Sequence, residues 1–270
     1  MARRDFAASR FPGFASVTFL VFAALYLPII LLVAYSFNSG ESIAIWEGFS
    51  FRWYLAAWGN ATVREVTLRS LTIASLASVI ATLVATMAAL GTTRRRRTRG
   101  QGLIYLMINQ PLMAPEIVTA VALLMVFASV RVTTGYQGPG YLILAHTAFC
   151  IPFAYLPIRA RLEGMDRSLE MAASDLYATP WQAFRHVTLP LLVPGILAGL
   201  MLAFVTSLDD VVITLFVKSA GQDTLPTYML AQLRRSVSAE MNAISTLLLL
   251  PSVVTLVAFL LLTRKRDRRE

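Results

Sequence analysis

The 270-residue sequence contains one cysteine and two histidines. A lone thiol forms no internal disulfide, and so few soft ligands leave no cysteine- or histidine-based metal motif. No Gly-x-x-x-x-Gly-Lys-Ser/Thr phosphate loop occurs, so the chain carries no recognisable grip on ATP. Neither His-Glu-x-x-His nor Gly-x-Ser-x-Gly is found. Catalysis by this chain alone is therefore not expected, nor is a resident cofactor or metal. Charge is scarce as well. Charged residues make up 14% of the chain, against about 25% in ordinary soluble domains. Hydrophobic residues reach 57% and the mean hydropathy is +0.64. A soluble protein of this size could not hide that much apolar surface, which excludes a soluble globular domain.

What is abundant is long apolar sequence. Crossing a hydrocarbon core of about 30 Å takes about 20 apolar helical residues. Six stretches qualify, at residues 14–37, 70–91, 102–130, 141–158, 187–208 and 241–263. The run 211–217 is about a third of the required length and is not counted. The expected fold is an all-α polytopic membrane protein, a single domain over residues 1–270 without internal repeats. Arg3-Arg4-Asp5-Phe6 resembles a twin-arginine export signal. The apolar run after it is too long for a signal h-region, about 7–15 residues, so the first helix reads as an uncleaved anchor.

The basic residues give an orientation. With six spans, 17 of the 24 Lys and Arg fall on the side that holds both termini. They comprise Arg3, Arg4 and Arg10, then Arg94, Arg95, Arg96, Arg97 and Arg99, then Arg159, Arg161, Arg167 and Arg185, and the tail Arg264, Lys265, Arg266, Arg268 and Arg269. The opposite side holds Arg52, Arg64, Arg69, Arg131, Lys218, Arg234 and Arg235. This asymmetry predicts cytoplasmic termini. It also explains a net charge of +9 and a pI near 10.2 without nucleic acid, through contact with anionic lipid. Trp46, Trp53 and Trp58, with Phe49, Phe51 and Tyr54, read as rings at head-group depth in the first external loop.

Polar groups inside or beside the spans are the candidates for function. Glu116 falls about 14 residues into the third span, roughly 21 Å from its cytoplasmic end, between Pro111 and Pro115. An acidic residue at that depth is either paired for packing or placed on a pathway for a cation. Asp209-Asp210, near the outer end of the fifth span, reads as a helix-end cap or as an acidic mouth. His146 reads as a hydrogen-bonded packing residue and Cys150 as inert core. The loop 159–188 is the longest internal one and much less apolar than its neighbours. Asp166 or Ser168 can cap one short helix and Thr179-Pro180 a second, with a bend near Tyr177. Such a loop is a docking element or an amphipathic surface segment.

This loop resembles the cytoplasmic Glu-Ala-Ala loop of ABC importer permeases, through Glu170, Met171, Ala172, Ala173, Asp175, Tyr177, Pro180, Leu189 and Pro190. The likeness extends over nearly the whole chain and is strongest to the second permease of spermidine/putrescine importers. It includes Ser36-Phe37-Asn38, Met113-Ala114-Pro115-Glu116-Ile117-Val118, His146-Thr147-Ala148-Phe149-Cys150-Ile151-Pro152-Phe153, Ser207-Leu208-Asp209-Asp210-Val211-Val212, Thr224-Leu225-Pro226 and Ser238-Ala239-Glu240-Met241-Asn242-Ala243. Two positions depart from the motif. Met171 stands where the family has Glu, with Glu170 just before it, and Tyr177 stands where it has Gly. Tyr disfavours positive φ, so the bend is expected to shift or to use other dihedrals.

The resemblance implies the type I importer permease fold in a bacterial inner membrane. It also implies a homologous permease completing the channel, two ATP-binding cassette ATPases that hold the ATP, and an external substrate-binding protein. The cargo would be a small cation of the polyamine class, on a pathway including Glu116, Asp209 and Asp210. Alternatives are iron or phosphonate cargo in the same class, or a secondary transporter in which Glu116 carries a coupling proton.

Overall fold

In lipid, helices gain little from burying apolar side chains against one another, so close backbone approach and interhelical hydrogen bonds decide where they meet. The sequence supplies small residues at four-residue spacing for this purpose, and the computed structural model is organised around them. It describes residues 13–42, 45–94, 100–136, 138–234 and 238–267. Arg3, Arg4, Arg10, Arg95, Arg96, Arg97, Arg99, Arg235, Arg268 and Arg269, all part of the charge asymmetry, lie outside them.

Helices run in the order α1 (Phe14–Tyr35), α2 (Arg52–Gly59), α3 (Ala61–Thr93), α4 (Gln101–Met113), α5 (Glu116–Thr134), α6 (Gly140–Glu163), α7 (Ser168–Asp175), α8 (Pro180–Ala183), α9 (Leu189–Asp209), α10 (Val212–Val217), α11 (Leu225–Leu233) and α12 (Ala239–Asp267). Among the described residues there is no strand, only an isolated bridge between Asn38 and Phe49. Among the described residues six helices are long and apolar enough to cross a membrane, in the order expected from the sequence.

The chain gathers into two compact units, one of residues 1–61 and 232–249 and the other of residues 62–231 and 250–270. In the first, Asn38 is fully buried and organises the loop after α1. Its Nδ2 donates to the carbonyls of Ile45 at 2.7 Å and Ser42 at 3.1 Å, and its Oδ1 accepts from the Glu47 amide at 2.8 Å. The nearby rings do more than float at an interface. Phe37 stacks on Phe49 at 5.3 Å and meets Phe51 and Tyr54 edge-on or tilted at 5.4 and 5.1 Å, an aromatic cluster that closes the loop on itself.

In the second unit the tightest seam joins α6 and α9. Gly195, Gly199, Ala203 and Ser207 form one stripe of α9 at four-residue spacing. His146, Cys150, Ala154, Ile158 and Leu162 form the facing stripe of α6, and all five are buried. A Cβ on Gly199 would meet the Ala154 carbonyl oxygen at 2.7 Å, and one on Gly195 would meet Arg161 Cβ at 2.7 Å. Cys150 Sγ donates to the Ala203 carbonyl at 3.4 Å, consistent with inert core. Small buried residues of α3 (Ala74, Ala77, Ala81, Ala85 and Ala89) give that helix a similar close-packing face.

The spans depart from expectation in three places. α3 starts nine residues before the expected 70, giving 33 residues. The third span, expected to be a kinked helix over 102–130, is broken outright. Ala114 adopts an extended conformation, φ −87° and ψ 147°, as a residue before proline prefers, and Pro115, which has no amide to donate, sits at the cap position of the next helix. Glu116 is thus the first residue of α5 and does not lie mid-helix. The 19 residues of α5 rise about 28 Å, enough to span by themselves. Finally, α8 does not stand apart from the fifth span. It runs through a π-helical turn, Phe184–Thr188, straight into α9.

Candidate functional site

Two sites emerge in the second unit, one at the broken helix and one in the segment 159–188. At the first, α9 ends at Asp209 and Asp210 turns extended, φ −65° and ψ 132°. The Asp210 carboxylate then caps α10, accepting from the amides of Ile213 at 3.1 Å and Thr214 at 2.9 Å and from Thr214 Oγ1 at 2.9 Å. A buried acid in this position serves as the cap of α10. Only 1% of its side chain is exposed. His146 fills the space behind it, with Nδ1 2.8 Å from Ser207 Oγ and Nε2 3.0 Å from Thr214 Oγ1 and 3.5 Å from Asp210 Oδ2. One proton assignment satisfies the chain: Ser207 donates to Nδ1, Nε2 donates to Thr214, and Thr214 donates to Asp210. Three helices are thereby tied at one imidazole.

Glu116 opens α5 with its carboxyl within hydrogen-bonding reach of Asp210. An acid in the first turn is favoured by the helix dipole, which is the packing account of this residue. Unlike Asp210, Glu116 is exposed. Asp209 is exposed too, at the end of α9. Of the three acids expected on one pathway, the structure brings Glu116 and Asp210 together, and Asp210 is occupied by its cap.

In the second site, α7 starts where Asp166 accepts from Ser168 through the amide at 2.9 Å and the hydroxyl at 2.6 Å. These bonds to the charged form hold the Asp166 carboxyl below its ordinary range. α8 starts with a complete capping box, Gln182 N donating to Thr179 Oγ1 at 3.3 Å and Thr179 N to Gln182 Oε1 at 2.8 Å, with Pro180 at the first helical position. The start of α8 matches the sequence reading; at α7 the cap position falls to Arg167, without a side-chain cap bond, and Asp166 bonds Ser168 from one residue before it.

The bend between the two helices does not match that reading. Tyr177 takes φ +59°, the only positive φ at a non-glycine position among the described residues. The Ala178 amide donates to the Ala173 carbonyl and the Tyr177 amide to the Ser174 carbonyl, both at 3.0 Å, a Schellman turn with Tyr where Gly is usual. The bend neither moves nor changes dihedrals; two backbone hydrogen bonds hold the tyrosine in a conformation that costs about 1–2 kcal/mol. The turn presents Leu176, 81% exposed, and Tyr177, 96% exposed, beside exposed Met171 and Trp181. Ala172, Asp175 and Pro180 are also exposed, whereas Ala173, Leu189 and Pro190 are half-buried.

Glu170 points the other way. Its Oε1 lies 3.1 Å from Arg94 Nε and accepts from Thr188 Oγ1 at 2.8 Å. Arg167 adds a bond from Nη2 to the Thr93 carbonyl at 2.9 Å. Arg94, expected to act with its neighbours as a lipid-facing topology signal, is instead an internal partner of Glu170, with 16% of its side chain exposed. The contacts of Arg94 and Thr188 were not legible in the sequence, because both partners are remote from Glu170 along the chain.

Comparison with known proteins decides the family. Residues 81–269 match the model of the binding-protein-dependent transport system inner membrane component. The chain belongs to this family. Both sites fall within the matched residues. The permease is 38% identical to the putrescine transport system permease protein PotI of Escherichia coli, over 96% of this chain and 94% of that one. It is 37% identical to the spermidine/putrescine transport system permease protein PotC of Haemophilus influenzae, over 92% and 95%. A bacterial ABC transporter that imports alginate shares the fold, with a TM-score of 0.66 at 17% identity over 93% of this chain and 92% of that chain. The permease is accordingly a multi-pass inner membrane component of an ABC import system.

Proposed function

We propose that the permease forms half of the translocation path of an ATP-driven importer for a small polycation of the putrescine and spermidine type. The observation that carries this reading is the end-to-end likeness to two permeases named for those amines. An exposed carboxylate at a broken helix suits such cargo, since ammonium groups need an acceptor as they leave water. In this reading Glu116 meets the cation directly, Asp209 adds negative potential nearby, and Asp210 keeps the break in shape.

The permease itself is not an enzyme in this scheme and binds no cofactor. ATP is held by two cassette ATPases, a homologous permease completes the channel, and an external binding protein delivers the amine. Both termini and the segment 159–188 lie in the cytoplasm. The exposed edge of Leu176, Tyr177, Trp181 and Met171 is the surface offered to the ATPase, with apolar area of the kind that marks protein contacts. ATP-driven closure of the ATPases pushes this edge, and the helices pass between two arrangements of similar energy.

The test is uptake of labelled putrescine into proteoliposomes holding the assembled transporter and its binding protein. Uptake should require ATP and should saturate with putrescine but not with phosphonate or ferric iron. Uptake driven by a proton gradient without ATPase would overturn the reading.

A further inference from the structure

The segment 159–188 meets the bundle through polar contacts of Arg161 with the Leu191 carbonyl, Arg167 with the Thr93 carbonyl and Glu170 with Arg94, and the Glu170 carboxylate also ties the two ends of the segment together. Glu170 Oε1 faces Arg94 Nε at 3.1 Å, just beyond the end of α3, and takes the Thr188 hydroxyl at 2.8 Å, at the π turn that leads into α9. Three elements distant in sequence therefore converge on one atom. Thr188 is buried, and about a quarter of the Glu170 side chain is exposed. An ion pair so shielded is less screened than a surface pair, and the Thr188 hydroxyl adds a hydrogen bond to the same carboxylate. Arg167 reinforces the same junction by bonding the Thr93 carbonyl. Among the described residues Arg94 Nε and Nη2 are buried without a hydrogen-bond partner, and the ion pair with Glu170 is the contact that holds this guanidinium.

We propose that Glu170 and Arg94 form an internal latch that transmits displacement of α7 to α3 and α9 together, as positioning residues for coupling with no contact to the ATPase. The inference rests on the transport reading above. It separates two tasks within eight residues. Apolar side chains around Tyr177 meet the partner, and the inward carboxylate carries the movement into the membrane. Without the latch, α7 still docks but slips against the end of α3.

The assembled transporter in proteoliposomes tests this, with putrescine uptake and ATP hydrolysis read on one preparation. E170Q and R94Q should retain the ATPase subunits through purification and continue to hydrolyse ATP, while putrescine imported per ATP falls about tenfold, within the usual range of coupling between sites. The reversed pair R94E/E170R should recover most of that loss. T188V, which removes one hydrogen bond and no charge, should shift coupling in the same direction by less. Spin labels at Ser174 and Met87 should keep one separation in nucleotide-free and ATP-trapped wild type, and vary with nucleotide in E170Q. Loss of the ATPase from E170Q, unchanged import per ATP, or no recovery in the reversed pair would each overturn the latch. The label distance needs no cargo, so it decides the latch even if putrescine proves not to be the substrate.

Discussion

His146 and Ser207 meet at 2.8 Å across the seam where α6 and α9 approach most closely, each supplied by a stripe of small or flat residues that lets the backbones come together. The contact joins packing to chemistry. Thr214 and Asp210 lie on the other side of the imidazole, and Asp210 reaches Glu116. Replacing His146 by Leu removes the ring partner of the buried Ser207 hydroxyl and one of the two partners of Thr214, at a cost of about 1–2 kcal/mol. Thermal unfolding in detergent should show a midpoint about 3–6 °C lower.

Glu116→Gln keeps the shape of the side chain and removes its charge. Assembly with partner subunits should be unaffected, and putrescine uptake should fall about tenfold, the equivalent of about 1.4 kcal/mol of lost attraction. Glu116→Asp should recover part of it. Uptake at the wild-type rate in Glu116→Gln would remove this residue from the cation's route.

Gly199→Ala adds one methyl group where the Ala154 carbonyl oxygen stands at 2.7 Å, and backbone cannot swing aside as a side chain can. A destabilisation of about 1–3 kcal/mol is expected. Gly59→Ala, where nothing lies within 4 Å of the new atom, is the control and should leave the melting point nearly unchanged.

Tyr177→Gly relieves a left-handed tyrosine but deletes the most exposed ring of the turn. Amide exchange at Tyr177 and Ala178 should slow, by the equivalent of about 0.5–1 kcal/mol after the extra entropy of glycine is counted. Co-purification with the ATPase should weaken at the same time. Faster exchange would mean that the ring, and not the backbone, holds the turn.

Asp166 has a folded-state affinity for protons that is lowered by its two bonds from Ser168. A depressed acid contributes above its unfolded pKa of about 3.9 and loses that contribution as pH falls through the folded value. The start of α7 should therefore be indifferent to pH between about 5 and 8 and fray under strong acid. Carbon-13 NMR of the Asp166 carboxyl should show its titration moving upward in Ser168→Ala.

Much of this was legible in the sequence, and the reasons are local. Six apolar runs of sufficient length read directly as spans, and Thr179 and Asp166 lie within three residues of the amides that donate to them. The misreadings concern what lies across the fold. Pro111 and Pro115 signalled a disturbance near Glu116, but a kink and a complete break differ only in whether neighbouring helices hold the two halves in line. Adjacent Asp209 and Asp210 look alike as letters; burial of one and exposure of the other is set by which way α9 ends. Propensity argued against a left-handed Tyr177, and the Schellman hydrogen bonds of Ala178 and Tyr177 outweighed it. Glu170 is the strongest case, since Arg94 is 76 residues away in sequence and 3.1 Å away in space.

Helix runs without a gap from Pro180 to Asp209, 30 residues and about 45 Å of axial rise. The hydrocarbon slab is about 30 Å, so an upright rod of this length leaves roughly ten residues standing in water. One end carries the Trp181 side chain and the other adjoins the carboxylate facing Glu116. The rod bends most readily at its π turn and at Pro194, and elsewhere a push at the tryptophan is carried toward the acids as a tilt of one shaft.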